Sequence, residues 1–403
     1  VKTDTGWNPD INAVLQLKVI AGVFDACDTI VAATDASREG EMLFRYLYRF
    51  LGCRKPCLRL WISSLTDEAI AKGMENLRPC SLFDNLFLAA DSRNKADWLL
   101  GVNSSYAVCK AVGFGNNSLG RVQTPVLAAI SGRYRERENH IPADSWPVFV
   151  SLCKNGKIIK MRHVEDFCNR RDALELYEDC KAAGYARITA VNSRTEEITA
   201  PALYNLTGLQ KDANRDHNLT AIRVQEITQS LYEKKLISCP RTSSRLLPED
   251  VYGMLPPVME KLLSGKEFRQ YAGMIDLAAR KGVTGNQDTA EHHAIVITGI
   301  QPGELDREER LVYTLVVGRM LETFMPPCKV EYTTVEAVCA ARKFRIRTYR
   351  ILEAGWLGIF QRERLVAEDN DLCPVPPELF REEKLPVTGC SLIHRKSLPA
   401  APY

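Results

Sequence analysis

Two kinds of group in this chain could do chemistry: a pair of carboxylates in a tight turn, and cations gathered in a few short stretches. In Thr34-Asp-Ala-Ser-Arg-Glu-Gly-Glu41, Asp35 and Glu39 stand just past the apolar run Thr29-Ile-Val-Ala-Ala33. If that run is a parallel strand, the carboxylates lie beyond its carboxyl end, where open α/β sheets place ligand sites. They would suit Mg²⁺, which takes one or two acidic oxygens together with water and phosphate. A solvated acidic turn is the alternative that these residues alone leave open. In Leu119-Gly-Arg-Val-Gln-Thr-Pro-Val-Leu127, Arg121 offers a guanidinium, while Gln123 and Thr124 open a helix whose backbone N–H groups could meet a phosphate or a base edge. Arg121 could instead pair with Asp97 and pin two helices together. Between Tyr106 and Arg137, five cations (Lys110, Arg121, Arg133, Arg135, Arg137) face the single acid Glu136. A second basic stretch, Arg342 to Arg350, alternates so that Arg345 and Arg347 share one face and Phe344 and Ile346 the other. Either stretch could track a phosphate backbone or form a solvated face.

Elements that could position these groups are legible from periodicity. Ile11 to Phe24 has a helical apolar pattern, Thr29 to Ala33 is a buried strand, and Asp35 to Gly40 is a polar turn before a helix from Glu41 to Leu51. A second short strand follows at Leu58 to Ile62, with Thr66 as cap of the next helix. This rhythm implies a parallel sheet with helices on its faces. Leu82 to Arg137 is expected to be almost wholly helical, whereas Trp146 to Ala202 and Val330 to Phe360 alternate as strands. Between those strand-rich stretches, Thr220 to Lys235 forms a helix that ends in the loop Ile237 to Arg245.

Length and composition set the frame. A chain of 403 residues, 45% apolar and 26% charged, is long enough for two to four cores. No run of about eighteen apolar residues offers a membrane span, and there is no cleavable signal. A net charge of +3 from 53 basic and 50 acidic residues decides nothing about partners. Thirteen scattered cysteines speak against a disulfide framework and for a reducing cytoplasm. Cys53 and Cys57 are close in sequence, but no second pair follows to complete the four ligands of a zinc site. The first residue is Val and the last is Tyr403, which is the expectation for a piece cut at both ends.

Ile30 to Arg45 resembles the acidic motif of the Toprim domain in type IA DNA topoisomerases. Asp91-Ser-Arg-Asn-Lys-Ala-Asp97 through Asn103, and Leu119 to Leu127, resemble that family's next two landmarks in the same order. Ser230 to Arg245 is similar to the nucleophile segment, in which a tyrosine precedes Pro-Arg-Thr; here that position is Cys239. Glu291-His-His-Ala-Ile-Val-Ile-Thr298 resembles the histidine-containing motif, with His292 at the recurrent histidine. Together these landmarks give a resemblance to topoisomerase III over essentially the whole chain.

The resemblance implies a multidomain α/β and α+β protein of toroidal architecture. It would contain a partial Toprim domain (1–81), part of a helical DNA-binding domain (82–140), a strand-rich gate domain in two arms (141–203 and 331–403), and an inserted helical active-site domain (204–330). Further implications are Mg²⁺ as cofactor at Asp35 and Glu39, with Ser37 where the family has a third acid, and an upstream glutamate and lysine that precede Val1. Catalytic positions would be Cys239, Arg241, His292 and Glu39, and DNA-binding positions Arg93, Arg121, Gln123, Thr124, Arg241 and Thr242. The implied reaction is ATP-independent cleavage, passage and resealing of single-stranded DNA, impaired here by Cys239 and truncation. No Walker phosphate loop is present, in keeping with that. A monomer in a bacterial cytoplasm, associated with the nucleoid or a mobile element, is expected; a helicase partner is not legible. Cys239 and Ser37 equally favour a catalytically inactive relative that only binds single-stranded DNA. A different Toprim enzyme, primase or nuclease, leaves Pro240-Arg241-Thr242 and His292 unexplained.

Overall fold

The computed structural model describes residues 2–3, 6–7, 11–62, 67–113, 115, 117–265, 268–278, 283–285, 292–360, 372–373 and 378–403. The expected cap Thr66 and the motif residue Glu291 lie outside them. The chain forms two compact units: residues 1–121, 202–272 and 279–317 make the first, and residues 122–201, 273–278 and 318–403 the second. Among the described residues no helix is long and apolar enough to cross a membrane.

The first unit begins with a small three-stranded sheet. Strand Ile30–Ala32 runs parallel to Cys57–Arg59, as the βαβ rhythm requires, and Arg78–Pro79 adds an antiparallel edge. Ile30, Ala32, Phe44 and Cys80 are buried together as its core. Cys57 and Cys80 are joined in a disulfide. That departs from the expectation of thiols throughout and takes Cys57 out of any pairing with Cys53 on a metal. The long helix Asp84–Val112 ends at Gly113, whose φ of +80° closes it in the left-handed conformation that glycine adopts freely. The almost wholly helical reading of Leu82 to Arg137 is borne out by this helix and by Gln123–Glu138, of which the second belongs to the second unit. Later in the first unit come the helices Leu206–His217, Ala221–Glu233, Glu249–Gly253 and Leu255–Ser264. Thr220 caps Ala221–Glu233 by accepting from Arg223 N–H.

The second unit is built on one sheet that closes on itself. Strands Cys328–Cys339, Tyr185–Ile198, Lys384–Leu392, Val148–Lys154, Lys157–His163 and Arg342–Glu353 follow one another in that order, and the last pairs back to the first. Closure leaves no open edge among the six, which removes the usual template for edge-to-edge association. Val335, Ala337 and Cys339 on one strand and Phe344 and Ile346 on the next point inward, with Val335 opposite Ile346 and Ala337 opposite Phe344. The alternation expected for Arg342 to Arg350 is thus observed. Its outward cations are partly neutralised across strands, Arg345 by Glu336 at 3.2 Å and Arg350 by Glu331 at 2.8 Å. Helix Arg170–Ala182 interrupts the stretch expected to be all strand and lays Ala173, Leu176 and Cys180 into the same core. Its start is set by Asn169, which accepts from Arg171 N–H.

Candidate active site

The acidic turn is held from beneath by a buried arginine. Ser37 caps helix Arg38–Phe50, its hydroxyl accepting from Gly40 N–H at 2.8 Å. The helix therefore begins three residues before the expected Glu41, and Glu39 lies in its first turn rather than in the loop. Ser37 is engaged by the helix end. Gly40 has no room for a side chain, because a Cβ would sit 2.2 Å from the Asp35 carbonyl oxygen. Thr34 closes the turn from the other side by donating to Gly40 O at 2.8 Å. Below it, the fully buried guanidinium of Arg59 donates to Ala32 O at 3.0 Å, to the Thr34 hydroxyl at 3.1 Å and to Asp35 O. Its Nε lies 3.1 Å from the equally buried Glu41, which also accepts from Arg45 at 2.8 Å. Neither Arg59 nor Glu41 was singled out from sequence, although an arginine in a strand and a glutamate on an apolar helix face are the signals that could have found them.

The segment expected to carry the nucleophile position, Ile237 to Thr242, is fixed by pairing with the stretch His292 to Ile297. Ile237 bridges Ile297, Ser238 N–H donates to Val296 O at 2.8 Å, and the Ser238 hydroxyl donates to Ala294 O at 3.0 Å. Past Pro240, the buried Thr242 donates to His292 O at 2.7 Å. These bonds lay the segments that carry Cys239 and His292 side by side. His292 Nε2 in turn lies 3.9 Å from a carboxylate oxygen of Asp35. The acidic turn and the nucleophile segment, some 200 residues apart in sequence, therefore meet in one unit.

The electrostatics of the group follow from burial. Cys239 is half-buried, and desolvation pushes its thiol up; the Arg241 backbone N–H counters this, the Asp35 carboxylate adds to it, and the Arg241 charge opposes it. Tyr232 is pushed up by burial, then by the neighbouring Cys239 and Asp35. The half-buried His293, by contrast, is pushed down by desolvation, and its Nδ1 lies on Ala294 O at 2.7 Å, whereas His292 is the one of the adjacent pair that approaches the Asp35 carboxylate.

The expected DNA-binding cations are present but engaged. Arg93 pairs with Glu39 at 3.2 Å, and Arg121 pairs with Asp97 at 2.8 Å, so the structure favours the helix-pinning alternative for Arg121. All four side chains are at least one-third exposed, and pairs of that kind are worth about 1 kcal/mol or less. A phosphate could exchange for either carboxylate at small cost. Arg241 is exposed beside Cys239, whereas Gln123 and Thr124 open helix Gln123–Glu138 of the second unit.

Among the described residues no group of three or more His, Cys, Asp or Glu is arranged to hold a metal ion. The two carboxylates Asp35 and Glu39 fit a hard cation only when water and phosphate oxygens complete its shell.

Comparison with known proteins gives this arrangement its setting. Residues 81–403 match the family model described as DNA topoisomerase. The chain belongs to that family. Its relatives include the DNA topoisomerase 3 of Bacillus licheniformis, 30% identical over 386 residues that cover 93% of this chain and 52% of that protein. The DNA topoisomerase 3 of Bacillus subtilis is 32% identical over 356 residues, covering 85% of this chain and 47% of the other. The fold is that of full-length topoisomerase I from Thermotoga maritima, with a TM-score of 0.71 at 17% identity, covering 98% of this chain and 64% of that one. The chain is thus a type IA, topoisomerase III-like member of the family, and it spans about half the length of the curated relatives it matches.

Proposed function

We propose that this topoisomerase chain holds one strand of DNA with its scissile phosphate at Cys239, the position of the family's nucleophilic tyrosine. The supporting observation is the approach of His292 to within 3.9 Å of Asp35, on a ladder that also carries Cys239. In this reading Arg241 neutralises charge on the phosphate, and His292 donates a hydrogen bond to it, a task open to imidazole near neutral pH. Within the first unit, Glu39 and Arg93 flank the strand and Arg121 lies along its path, while the buried Thr242, bonded to His292 O, holds the segment that carries Cys239. A magnesium ion held by Asp35 and Glu39 would supply positive charge beside the phosphate when bound; with Ser37 engaged as a helix cap, its binding is weak. Tyrosine serves the family because phenolate can both attack phosphorus and leave again. A thiolate is soft and poorly matched to phosphorus as an oxygen-seeking centre, and burial and Asp35 leave less of the Cys239 thiol ionised to attempt the attack, so cleavage and resealing by this chain are impaired. ATP has no part in the chemistry, the phosphodiester energy being kept in the covalent link. The division into partial Toprim (1–81), helical (82–140), gate (141–203, 331–403) and active-site (204–330) domains belongs to the same reading, as does a monomer in the cytoplasm.

The test pairs a denaturing gel for labelled-strand adducts with a plasmid-relaxation assay. The unmodified chain should form no adduct and relax nothing, and Cys239→Tyr should restore at most cleavage. Mg²⁺-dependent relaxation by the unmodified chain refutes the assignment of Cys239 as an impaired nucleophile position. The second reading, a relative that only binds single-stranded DNA, is favoured by the raised Cys239 thiol and by Ser37 as cap. It predicts that Cys239→Tyr forms no adduct either, while single-stranded DNA still binds more tightly than duplex and loses affinity steeply with salt.

A further inference from the structure

Behind the nucleophile segment, within the first unit, lies a cavity of 480 Å³ between helix Leu255–Ser264, the segment Ile297–Leu305 and the start of helix Arg307–Thr323. That is within the size of small-molecule sites. Its apolar lining includes Val258, Leu262, Phe268, Ile297 and Val317. The charged groups lining it are both cations, Lys261 and Arg310. The acids at the start of the adjoining helix are committed elsewhere: Glu308 pairs with Arg223 at 2.6 Å and Glu309 with Lys234, while Asp306 accepts from Glu309 N–H at 2.8 Å in a reciprocal cap; the neighbouring Glu260 and Glu304 are exposed and do not line the cavity. Lys261 reaches only a backbone carbonyl, that of Gly299 at 3.2 Å, and Arg310 makes no ion pair among the described residues. The half-buried Tyr313 hydroxyl also lines the cavity and has no hydrogen-bond partner among them. An apolar floor, two cations and a phenol select an aromatic or otherwise apolar body bearing an anionic group.

We propose that this cavity binds a small aromatic anion, and that its occupancy is felt at Cys239 through the segment that forms one wall. The connection is short. Ile297 lines the cavity and bridges Ile237, two residues before Cys239, while Thr298 N–H donates to Leu236 O at 3.1 Å. A ligand packed on Ile297 and Ile300 holds that ladder in one position, and the segment carrying Cys239 with it. This site is separate from the DNA path assigned above and takes a different class of ligand.

The probe is anilinonaphthalene sulfonate, titrated by fluorescence against the full chain, with uncharged phenylnaphthylamine as the comparison. A saturable site with Kd of about 20 μM is expected for a ligand of that size. The uncharged dye, and the sulfonate on Arg310→Ala or Lys261→Ala, should each bind about tenfold more weakly. Thr314→Trp fills the cavity and should abolish the site; if that variant does not fold, the exposed Arg310→Ala carries the test alone. Saturating sulfonate should also slow alkylation of Cys239 by iodoacetamide about fivefold, followed by mass spectrometry of its peptide. Binding that does not saturate, or that is indifferent to both Arg310→Ala and Lys261→Ala, overturns the site. Saturable binding with an unchanged Cys239 rate overturns the coupling.

Discussion

Replacing Arg59 by methionine should destabilise the first unit strongly, because the change removes four interactions at a place water does not reach. The guanidinium and the Glu41 carboxylate are both fully buried, 3.1 Å apart, and held by charge rather than by an aligned hydrogen bond. Loss of one partner leaves the other charge uncompensated, at a cost of about 3–5 kcal/mol for a buried pair. The lower end applies here, since Glu41 keeps Arg45 at 2.8 Å. Loss of the three oxygens that Arg59 satisfies, Ala32 O, the Thr34 hydroxyl and Asp35 O, adds about 1 kcal/mol each where water cannot replace the donor. A total of about 3–6 kcal/mol corresponds to a melting shift of about 6–20 °C for a unit of this size. The assay is denaturant unfolding of Arg59→Met, Glu41→Leu and the double variant, read as a thermodynamic cycle. The double variant should recover about 2 kcal/mol of the summed single losses. A single-variant loss below about 1 kcal/mol, or strict additivity, would refute the picture of a buried charge pair clamping the acidic turn.

Three further outcomes follow from the same physics. Iodoacetamide should alkylate Cys239 slowly at neutral pH, and Asp35→Asn should lower the thiol's pKa and speed the reaction, since the Asp35 carboxylate raises it; an unchanged rate-against-pH profile would show that Asp35 does not face the thiol. Glu309 is pulled down from 4.5 to about 2, chiefly by Lys234 and then by Ser230. A depressed carboxylate stabilises fully above its unfolded value, so this contribution should vanish as pH falls from 4.5 toward 2. Lys234→Met should flatten that part of the stability curve, and an unaltered curve would contradict the pairing. Thr242→Val removes the bond to His292 O and should cost about 1–2 kcal/mol in unfolding free energy, with a change in the His292 ring signals by NMR; an unperturbed His292 would separate the two segments.

What could be seen in the sequence divides along the reach of local signals. The strand Ile30–Ala32, the capped helix after Thr220 and the alternation of Arg342 to Arg350 are patterns of neighbours, and each stands in the structure, although the strand is buried on one face only, with Val31 exposed. The hairpin at Asn155-Gly156 carries the usual left-handed pair, with φ of 50° and 76°, whereas Ala340-Ala341 makes the same turn at 49° and 58° without any residue that advertises it. Helix Arg170–Ala182 was hidden because strands surround it and only Asn169 marks its start. At the site, Asp35, Cys239 and His292 were legible through motif spacing, but their company was not. The clamp by Arg59, the nearness of Tyr232 and the pairing of Arg93 with Glu39 are all contacts between distant segments. An arginine inside an apolar strand such as Arg59 hints at a buried role, but which backbone oxygens it grips is set by segments remote in sequence.

The central claim, that Cys239 lies where a DNA phosphate is held, can be tested with the chain's own thiols. A single-stranded oligonucleotide carrying an alkanethiol tether on one phosphate, activated as a mixed disulfide, should trap a cysteine near the bound backbone. Cys168 is exposed and free, and Cys239 is free but half-buried with a thiol raised by its surroundings, so intrinsic reactivity favours Cys168. Peptide mapping should nevertheless find the oligonucleotide on Cys239, with the adduct lost when untethered single-stranded DNA competes. Capture at Cys168 with none at Cys239, unaffected by competitor, would contradict the account.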